Sequence, residues 1–319
     1  MSLSEFELIE QVFKKHCKEM PDVTCGIGDD AAVIKVPPEM ELVLSMDTLV
    51  AGVHFPFDTK PEDIGYKALA VNLSDIAAMG AEPCWVILSM TLPDADQLWL
   101  EKFMAGFAEL ANEHAVNLVG GDLSRGPLSI TIAIHGLVPE GKGITRSGAK
   151  TGDLIYVTGT LGDAGLALKV LNEGLDIAKD HQTHIIDRLY RPSPRLTTGL
   201  ALRDIASSAI DISDGLIADL AHILVASKVG ATLNPELLPL SDAFAEFDPE
   251  EAWEIALTSG DDYELCFTVP PCMQETVENK LKSECSISCI GTIMQEKEMR
   301  WIRSDNTLFT PSGSGYLHF

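Results

Sequence analysis

The sequence has few basic residues for its length. It carries 23 Lys and Arg against 48 Asp and Glu, a formal net charge of −25 over 319 residues. Nucleic-acid phosphates and anionic membrane surfaces attract basic protein surface, so this composition argues against both as main partners. The plainest explanation of the acidity is solubility, whereas a phosphate-bearing ligand would need divalent cations to neutralise it.

Long hydrophobic runs and paired cysteines are also missing. The N-terminus, MSLSEFELIEQVFKK, lacks a signal-peptide organisation, and no apolar run reaches membrane-spanning length. The seven cysteines are an odd number, and Cys285 and Cys289 do not form a C-x-x-C pair. His181 and His184 have no other soft ligand beside them, so no zinc site is expected. These absences predict a reduced, cytoplasmic protein whose thiols are inert.

The remaining composition suits a protein with sizeable cores. Hydrophobic residues make up 46% of the chain, and its length suggests about two domains. Strands alternate with helices, which predicts an α/β (α+β) layered fold. Residues 139–152, PEGKGITRSGAKTG, are rich in Gly and Lys. They predict the joint between one domain of residues 1–140 and another of residues 150–319.

The stretch from Pro61 to Gly80, PEDIGYKALAVNLSDIAAMG, predicts one helix. Pro61 suits a first helical turn, and Gly80 suits the left-handed residue past a helix end. The helix has one face, expected to pack on the core, that contains Ile64, Ala68, Val71, Asp75 and Met79. A carboxylate on such a face is costly unless it is compensated, so Asp75 is either a satisfied core or capping residue or a metal ligand.

More aspartates lie near predicted strand ends or on buried faces. The predicted strand Leu42–Met46 ends at Asp47, and the predicted strand Val116–Val119 runs into Gly120-Gly121-Asp122. The full set is Asp30, Asp47, Asp75, Asp122, Asp211 and Asp214. Each one alone suits a cap or a turn. Together they would repel one another unless metals were bound, and ligand sets of oxygen alone favour Mg²⁺.

Two glycine-rich stretches leave alternatives open. The stretch from Gly120 to Gly126 predicts a turn after a strand; it lacks the Gly-Lys-Ser/Thr ending of a P-loop, so it either cradles phosphate through its backbone or is an ordinary hairpin loop. The stretch from Gly159 to Gly165 follows a strand and opens a helix, but its spacing is G-x-x-G-x-x-G. A nicotinamide-dependent oxidoreductase and a pure binding or scaffold protein therefore remain as alternatives, although neither explains the aspartates.

Seven motifs, in this order, resemble one enzyme family. They are GIGDDAAV, SMDTLVAGVHF, YKALAVNLSDIAAMGAEP, GGDLSRGPLSITIAIHG, TRSGAKTGD, RPSPR and AIDISDGL. The chain thereby resembles the thiamine-monophosphate kinases, in the superfamily typified by aminoimidazole ribonucleotide synthetase. The resemblance implies ATP-dependent transfer of the γ-phosphoryl group to thiamine monophosphate, which gives thiamine diphosphate. It also implies a mixed sheet in each half and a homodimer formed through the N-terminal sheets. The alternative within the superfamily is a sister enzyme that acts on another small substrate.

The resemblance also implies roles for individual residues. The Mg²⁺ ligands it implies are Asp30, Ser45, Asp47, Asp75, Asp122, Asp211 and Asp214, of which Asp30, Asp75, Asp122 and Asp214 are the expected catalytic residues. The ATP site it implies contains Gly120, Gly121, Asp122, Arg146 and Ser213. The implied substrate contacts are His54, Asp261 and Tyr316, the last in the aromatic tail SGSGYLHF. The N-terminal domain is thus expected to bind metal and nucleotide and to dimerise, and the C-terminal domain to complete the active site.

The chain departs from the family pattern at two positions. Met46 stands where the family commonly has Thr, and because a thioether is a poor Mg²⁺ ligand, only the Met46 carbonyl is a candidate. Asp261 stands in GDDYE where the family has GEDYE, one methylene shorter. No Ser, Cys or His is placed to suggest a phosphoenzyme, so we expect direct transfer, which depends on positioning and charge neutralisation.

Overall fold

The computed structural model describes residues 5–18 and 20–316, and the chain divides into two compact units. The first comprises residues 1–76 and 81–141, and the second comprises residues 77–80 and 142–319. Each unit contains a mixed β-sheet with helices, which confirms the α/β (α+β) fold class. Within the described ranges, none of the helices has the length and apolar character that a membrane crossing requires.

The first unit is built on one four-stranded sheet. Its elements are α1 (Glu5–Leu8), β1 (Val23–Cys25), β2 (Val33–Ile34), β3 (Met40–Val50), α2 (Pro61–Ala78), β4 (Glu82–Leu92), α3 (Gln97–Glu113), β5 (Asn117–Arg125) and β6 (Ser129–Pro139). The sheet has the order β3-β6-β4-β5, in which only β4 and β5 are parallel. β1 and β2 form a separate antiparallel pair.

Helix α2 begins at Pro61, and Gly80, just past its end, has the left-handed φ of 62° that the sequence predicts. The helix is buried on almost every side, since Leu69 and Ile76 are fully buried along with most of their neighbours. The predicted face is buried at Ile64, Ala68 and Val71, and burial extends beyond it to the polar residues Lys67 and Asn72. Asp75 is only half-buried, one of the few such positions in the second half of the helix.

Two predicted strand ends are wrong. β3 continues past Asp47 to Val50, because it pairs with β6 along its whole length. Gly120, Gly121 and Asp122 lie inside β5 and do not form a turn after a strand. A Cβ atom on Gly121 would lie 2.0 Å from the carbonyl oxygen of Leu88, so the close approach of β4 requires glycine there.

The two faces of the first sheet differ. One face carries fully buried side chains such as Ile132 and Leu88, which pair across β6 and β4. The other face holds a small cluster around Trp85 at one end, beside β1 and β2. Farther along that second face, Leu44 is 61% exposed and Met46 is 65% exposed. β3 also forms one edge of the sheet, so an apolar surface and an unpaired strand edge lie together.

The second unit is built on a seven-stranded sheet in the order β13-β12-β9-β11-β7-β10-β8. Its elements are β7 (Leu154–Thr158), α4 (Asp163–Glu173), α5 (Lys179–Tyr190), α6 (Leu196–Leu202), β8 (Ser208–Asp211), α7 (Leu216–Ser227), β9 (Gly230–Leu233), α8 (Pro249–Thr258), β10 (Leu265–Val269), α9 (Gln274–Leu281), β11 (Ile287–Met294), β12 (Met299–Ile302) and β13 (Leu308–Phe309). Only β12 and β9 are parallel. Two hydrophobic clusters form its core.

The seven cysteines all lie in the described part of the chain, and none forms a disulfide there. Burial raises the pKa of Cys17 and of Cys84 to about 11, so both thiols are protonated at neutral pH. A protonated thiol is a poor nucleophile.

Candidate active site

In the first unit, β3 and α2 bring three of the predicted ligands together. The Ser45 hydroxyl donates to Asp75 Oδ2 at 2.5 Å. The Asp47 N–H donates to Asn72 Oδ1 at 3.2 Å, and Asn72 lies one turn before Asp75 on α2. Ser45 and Asp47 are two residues apart on a strand, so both side chains lie on the face of the sheet that meets α2.

Met46 lies between these two residues and therefore projects to the opposite face. Its exposed fraction of 65% agrees with that orientation. The thioether is thus directed away from Asp75, and any contact of residue 46 with a metal would have to use the backbone carbonyl.

Asp122 lies at the other edge of the same sheet, on β5. The strand register aligns Asp47 with Gly121, through Ile132 and Leu88. Asp122 is one residue farther along and so lies on the opposite face from Asp47. It is exposed and accepts a hydrogen bond from the Ser124 hydroxyl at 2.9 Å.

Asp30 is exposed in the segment between β1 and β2, where its N–H donates to Asp29 Oδ1 at 2.9 Å. Among residues 5–18 and 20–316, no three His, Cys, Asp or Glu side chains lie close enough together to hold a metal ion. Asp30 and Asp122 therefore do not join Asp75 in a three-carboxylate group. Ser45 and Asp75 are two predicted ligands of this unit that are directly hydrogen-bonded to each other.

His54 lies in the irregular segment after β3, and its ring is oriented by the backbone. Its Nδ1 accepts a hydrogen bond from the Val50 N–H at 3.0 Å. Because Nδ1 is the acceptor, a neutral ring carries its proton on Nε2. The segment also exposes Val53 and Phe57, whose exposed fractions are 56% and 84%. His54 thus presents a donor nitrogen from a partly apolar loop.

In the second unit, residues 212–215 form a loop between β8 and α7, which we call the Asp214 loop. Asp211 is buried at the end of β8, and Asp214 is half-buried in the loop. Asp219, in the first turn of α7, accepts hydrogen bonds from the N–H groups of Ser213 and Asp214, each at 3.0 Å. Asp219 therefore fixes the backbone beside two predicted site residues.

Sequence reasoning missed Asp219, although it is a lone acid at the start of an apolar helix, LIADLAHILVAS, the same signal that identified Asp75. Burial raises the pKa of Asp219 to about 7. The charge of Asp214 adds to this increase, whereas the two N–H bonds and the charge of Arg146 oppose it. Arg146 therefore lies close enough to act electrostatically on the carboxylate that holds Ser213, and the structure places these two predicted ATP-site residues in one region.

Asp261 lies beside the Asp214 loop. Its N–H donates to the Ser213 carbonyl at 2.9 Å, and the Tyr263 N–H donates to the Ile212 carbonyl at 2.8 Å. The Tyr263 hydroxyl donates to Asp261 Oδ1 at 3.0 Å. Asp261 and Tyr263 have φ values of 69° and 49°, in the left-handed region that few non-glycine residues adopt. Strained backbone of this kind is concentrated at functional sites.

A buried ion-pair network lies next to this strained segment. Glu264, which is fully buried, accepts hydrogen bonds from Arg188 at 2.7 Å and from Arg195 Nε and Nη2, each at 2.6 Å. The Thr158 hydroxyl donates to the same carboxylate at 2.5 Å. Burial lowers the pKa of Arg195, but its bond to Glu264 and the charge of Glu264 outweigh burial and raise it overall. Arg195 belongs to the motif RPSPR, and sequence reasoning did not identify its partner.

Gly315 and Tyr316 also reach the Asp214 loop. The Tyr316 N–H donates to the Asp214 carbonyl at 2.9 Å. Gly315 has a φ of 96°, and a Cβ atom there would lie 2.8 Å from that carbonyl oxygen, so a larger residue would not fit. The backbone of Tyr316 is thus attached to the loop, while its side chain is 44% exposed. Leu317, His318 and Phe319, the rest of the aromatic tail, lie outside the described residues.

Known proteins resemble the chain over its whole length. The family described as AIR synthase related protein, N-terminal domain, matches residues 28–138, and the corresponding C-terminal domain family matches residues 150–302. Thiamine-monophosphate kinase of Escherichia coli (strain K12) is 49% identical over 323 residues, covering 100% of this chain and 99% of that relative.

Solved structures agree with these matches. The structure of thiamine-monophosphate kinase from Stenotrophomonas maltophilia K279a matches with a TM-score of 0.86 and 43% sequence identity. The match covers 94% of this chain and 96% of the chain in that structure. The structure of AaThiL complexed with AMPPCP and TMP matches with a TM-score of 0.77 and 30% sequence identity. The match covers 99% of this chain and 97% of the chain in that structure. The chain belongs to the thiamine-monophosphate kinase family, whose members are phosphotransferases.

Proposed function

We propose that this protein phosphorylates thiamine monophosphate to thiamine diphosphate, with ATP as phosphoryl donor. The observation that carries the proposal is the 49% identity over the full chain to a thiamine-monophosphate kinase. A second support is AaThiL, a relative with 30% identity, which was solved with TMP and with AMPPCP, an ATP analogue.

The donor set of the site fits Mg²⁺. The implied ligands offer only carboxylate, hydroxyl and carbonyl oxygens, which hard cations prefer. Mg²⁺ usually keeps several waters and binds one or two carboxylates together with substrate phosphates, so a group of three carboxylates is not required. The proposed ligands are Asp30, Ser45, Asp47, Asp75, Asp122, Asp211, Asp214 and the carbonyl of Met46. When bound, Mg²⁺ would supply positive charge that neutralises the charge of the phosphate groups.

The chain's own residues have the task of holding two anionic reactants in line. In our proposal, Arg146, Ser213 and the backbone at Gly120 and Gly121 bind ATP. The Arg146 guanidinium supplies fixed positive charge, and Asp219 keeps the Ser213 backbone in place. β5 is an edge strand, so one side of its backbone at the two glycines takes no part in sheet pairing.

The acceptor is proposed to contact His54, Asp261 and Tyr316. The Nε2–H of His54 can donate to a phosphate oxygen, and Asp261 can attract the cationic thiamine ring. A phosphate oxygen of thiamine monophosphate is already ionised at neutral pH, so the attack needs no strong general base. Catalysis then depends on positioning and on charge neutralisation.

The transfer is expected to invert configuration at phosphorus, because one in-line displacement inverts it. This can be measured with ATP that carries a chiral γ-phosphorothioate, by determining the configuration of the thiamine diphosphate formed. Retention would require two displacements, and therefore a phosphorylated side chain that this proposal does not include.

We further propose that two copies associate through the sheets of their first units. The supporting feature is the apolar surface on the second face of that sheet, where Leu44, Met46 and Ile87 are 61%, 65% and 38% exposed. Contiguous exposed apolar surface beside an unpaired strand edge is typical of an interaction surface.

A substrate panel tests the function directly. Purified protein with Mg-ATP is incubated with thiamine, thiamine monophosphate and substrates of the aminoimidazole pathway, and the products are identified. We expect phosphorylation of thiamine monophosphate alone. Turnover of an aminoimidazole substrate instead would identify a sister enzyme of the superfamily. Stabilisation by NADH but not by Mg-ATP in a thermal-shift assay would favour the oxidoreductase alternative.

Replacing Tyr316 with alanine is expected to raise the KM for thiamine monophosphate. The Tyr316 ring can pack against a thiamine ring that carries positive charge, and such a contact contributes about 0.5–2 kcal/mol, equivalent to about a three- to thirtyfold change in KM. The KM for ATP should barely move. If deletion of residues 313–319 leaves the thiamine monophosphate kinetics unchanged, Tyr316 does not contact the substrate.

A further inference from the structure

In the C-terminal segment, residues 303–316, Ser312 and Gly313 are held by one carboxylate of α8. Glu254 Oε1 accepts from the Ser312 N–H at 2.9 Å, from the Ser312 hydroxyl at 2.5 Å and from the Gly313 N–H at 2.8 Å. Its Oε2 also accepts from the Ser312 N–H, at 3.1 Å. Bonds to an ionised acceptor are roughly twice as strong as neutral ones. Glu254 is therefore an anchor point for the segment.

Helix α8 also contacts earlier residues of the same segment. Glu250 pairs with Arg303 at 2.5 Å, and the Trp253 ring meets the Phe309 ring edge-on with 5.5 Å between their centroids. Positions 253 and 254 lie three and four residues after position 250, which places both next to it on the surface of the helix. Glu254 is the last of these three contacts before Tyr316.

Only a short length of chain connects the residues bonded to Glu254 with Tyr316. Tyr316 is the third residue after Gly313, and three residues span at most about 10 Å of chain. At the far end, the Tyr316 N–H is bonded to the Asp214 carbonyl. The segment 313–316 is thus fixed at both ends, by Glu254 on α8 and by the Asp214 loop. If one end were released, the segment would adopt more conformations, and ordering Tyr316 in its binding position would cost more conformational entropy.

We propose that Glu254 is a positioning residue for thiamine monophosphate binding, which clamps residues 312–313 so that Tyr316 is held beside the Asp214 loop. The inference rests on the proposed function, in which Tyr316 contacts the substrate. Glu254 itself acts through the tail and does not touch the reactants. Its removal therefore raises the KM for thiamine monophosphate without changing the KM for ATP.

Three variants of the full-length protein test the proposal. Glu254→Ala removes the clamp, and Glu254→Gln keeps one acceptor oxygen but loses the charge. Glu251→Ala is the matched control, because it removes the same charge from an exposed position on the same helix. Two readouts are compared: steady-state kinetics, and hydrogen exchange of the backbone amides of residues 312–316.

Glu254→Ala is expected to accelerate exchange of these amides by about tenfold or more, the equivalent of one lost charge-assisted bond. It should also raise the KM for thiamine monophosphate about three- to tenfold, within the limit set by the Tyr316 contact itself. Glu254→Gln should lie between Glu254→Ala and the wild type in both readouts. Glu251→Ala should match the wild type.

The possible results distinguish a failure of the Glu254 clamp from a failure of the proposed substrate contact of Tyr316. Unchanged exchange in Glu254→Ala overturns the clamp, whatever the kinetics. Faster exchange with an unchanged KM, when Tyr316→Ala does raise the KM, overturns the positioning role. If neither variant changes the KM, the substrate role of Tyr316 fails, and the inference built on it fails too. In the double variant Glu254→Ala/Tyr316→Ala, we expect no increase in KM beyond that of Tyr316→Ala, because both act through one contact.

Discussion

Replacing Asp75 with asparagine is expected to lower kcat for thiamine diphosphate formation by about a hundred- to a thousandfold, the cost of losing one group that stabilises transition-state charge. An asparagine can still accept the hydrogen bond from the Ser45 hydroxyl, so the contact between β3 and α2 is retained. What it loses is the negative charge. Because Asp75 is the lone carboxylate on a largely apolar helix face, we predict that it is shared by more than one metal ion. The measurement is kcat at saturating Mg²⁺, ATP and thiamine monophosphate.

Glu62→Gln is the control for this variant, since it removes one charge from the first turn of the same helix. It should retain wild-type kcat. Thermal unfolding in the presence of a chelator shows whether Asp75→Asn is folded, and its Tm should equal or exceed that of the wild type. Substantial activity of a folded Asp75→Asn protein would contradict a shared-ligand role for Asp75.

Replacing Glu264 with glutamine is expected to lower the free energy of unfolding by about 3–5 kcal/mol, because the change removes the buried charge that two largely buried guanidinium groups share. Arg188 and Arg195 are only 12% and 21% exposed, and both pair with this carboxylate, whereas the Asp163 carboxylate is farther from Arg188, at 4.0 Å. Denaturant unfolding of the two proteins under identical conditions measures the difference.

Glu298→Gln is the matched control. Glu298 pairs with Arg300 at 2.5 Å, as Glu264 pairs with Arg195 at 2.6 Å, but both partners of the control pair are more than half exposed. Exposed ion pairs contribute about 0–1 kcal/mol, so Glu298→Gln should unfold almost like the wild type. A loss for Glu264→Gln as small as that of the control would show that the network is not a major source of stability.

Local signals predicted several elements well. Pro61 and Gly80 correctly mark the ends of α2, and the alternation of strands with helices correctly predicted the fold class. The extension of β3 past Asp47 could not be predicted, because it depends on pairing with β6, about 80 residues farther along the chain. The same applies to β5, whose glycines look like a turn until β4 lies beside them.

In the candidate site, too, features set by neighbouring residues were predicted, and features set by residues distant in sequence were not. The sequence predicted that Asp75 is unusual because a lone carboxylate interrupts an apolar helix. It did not predict Glu254 or Glu264, since each is defined by partners far along the chain, at Ser312 and at Arg188 and Arg195. A charged residue in a sequence does not reveal whether its partner is solvent or a distant side chain.

The backbone at residue 261 gives a reason for the departure from the family's glutamate. A φ of 69° is tolerated better by Asp than by most residues with a Cβ atom, because its short side chain can form hydrogen bonds locally. The Asp261 carboxylate does so with the Tyr263 hydroxyl. A glutamate would reach one methylene farther but would give up that local compensation. A longer side chain at this position would extend farther toward a ligand, whereas a shorter one better tolerates the left-handed backbone. This chain has the shorter side chain.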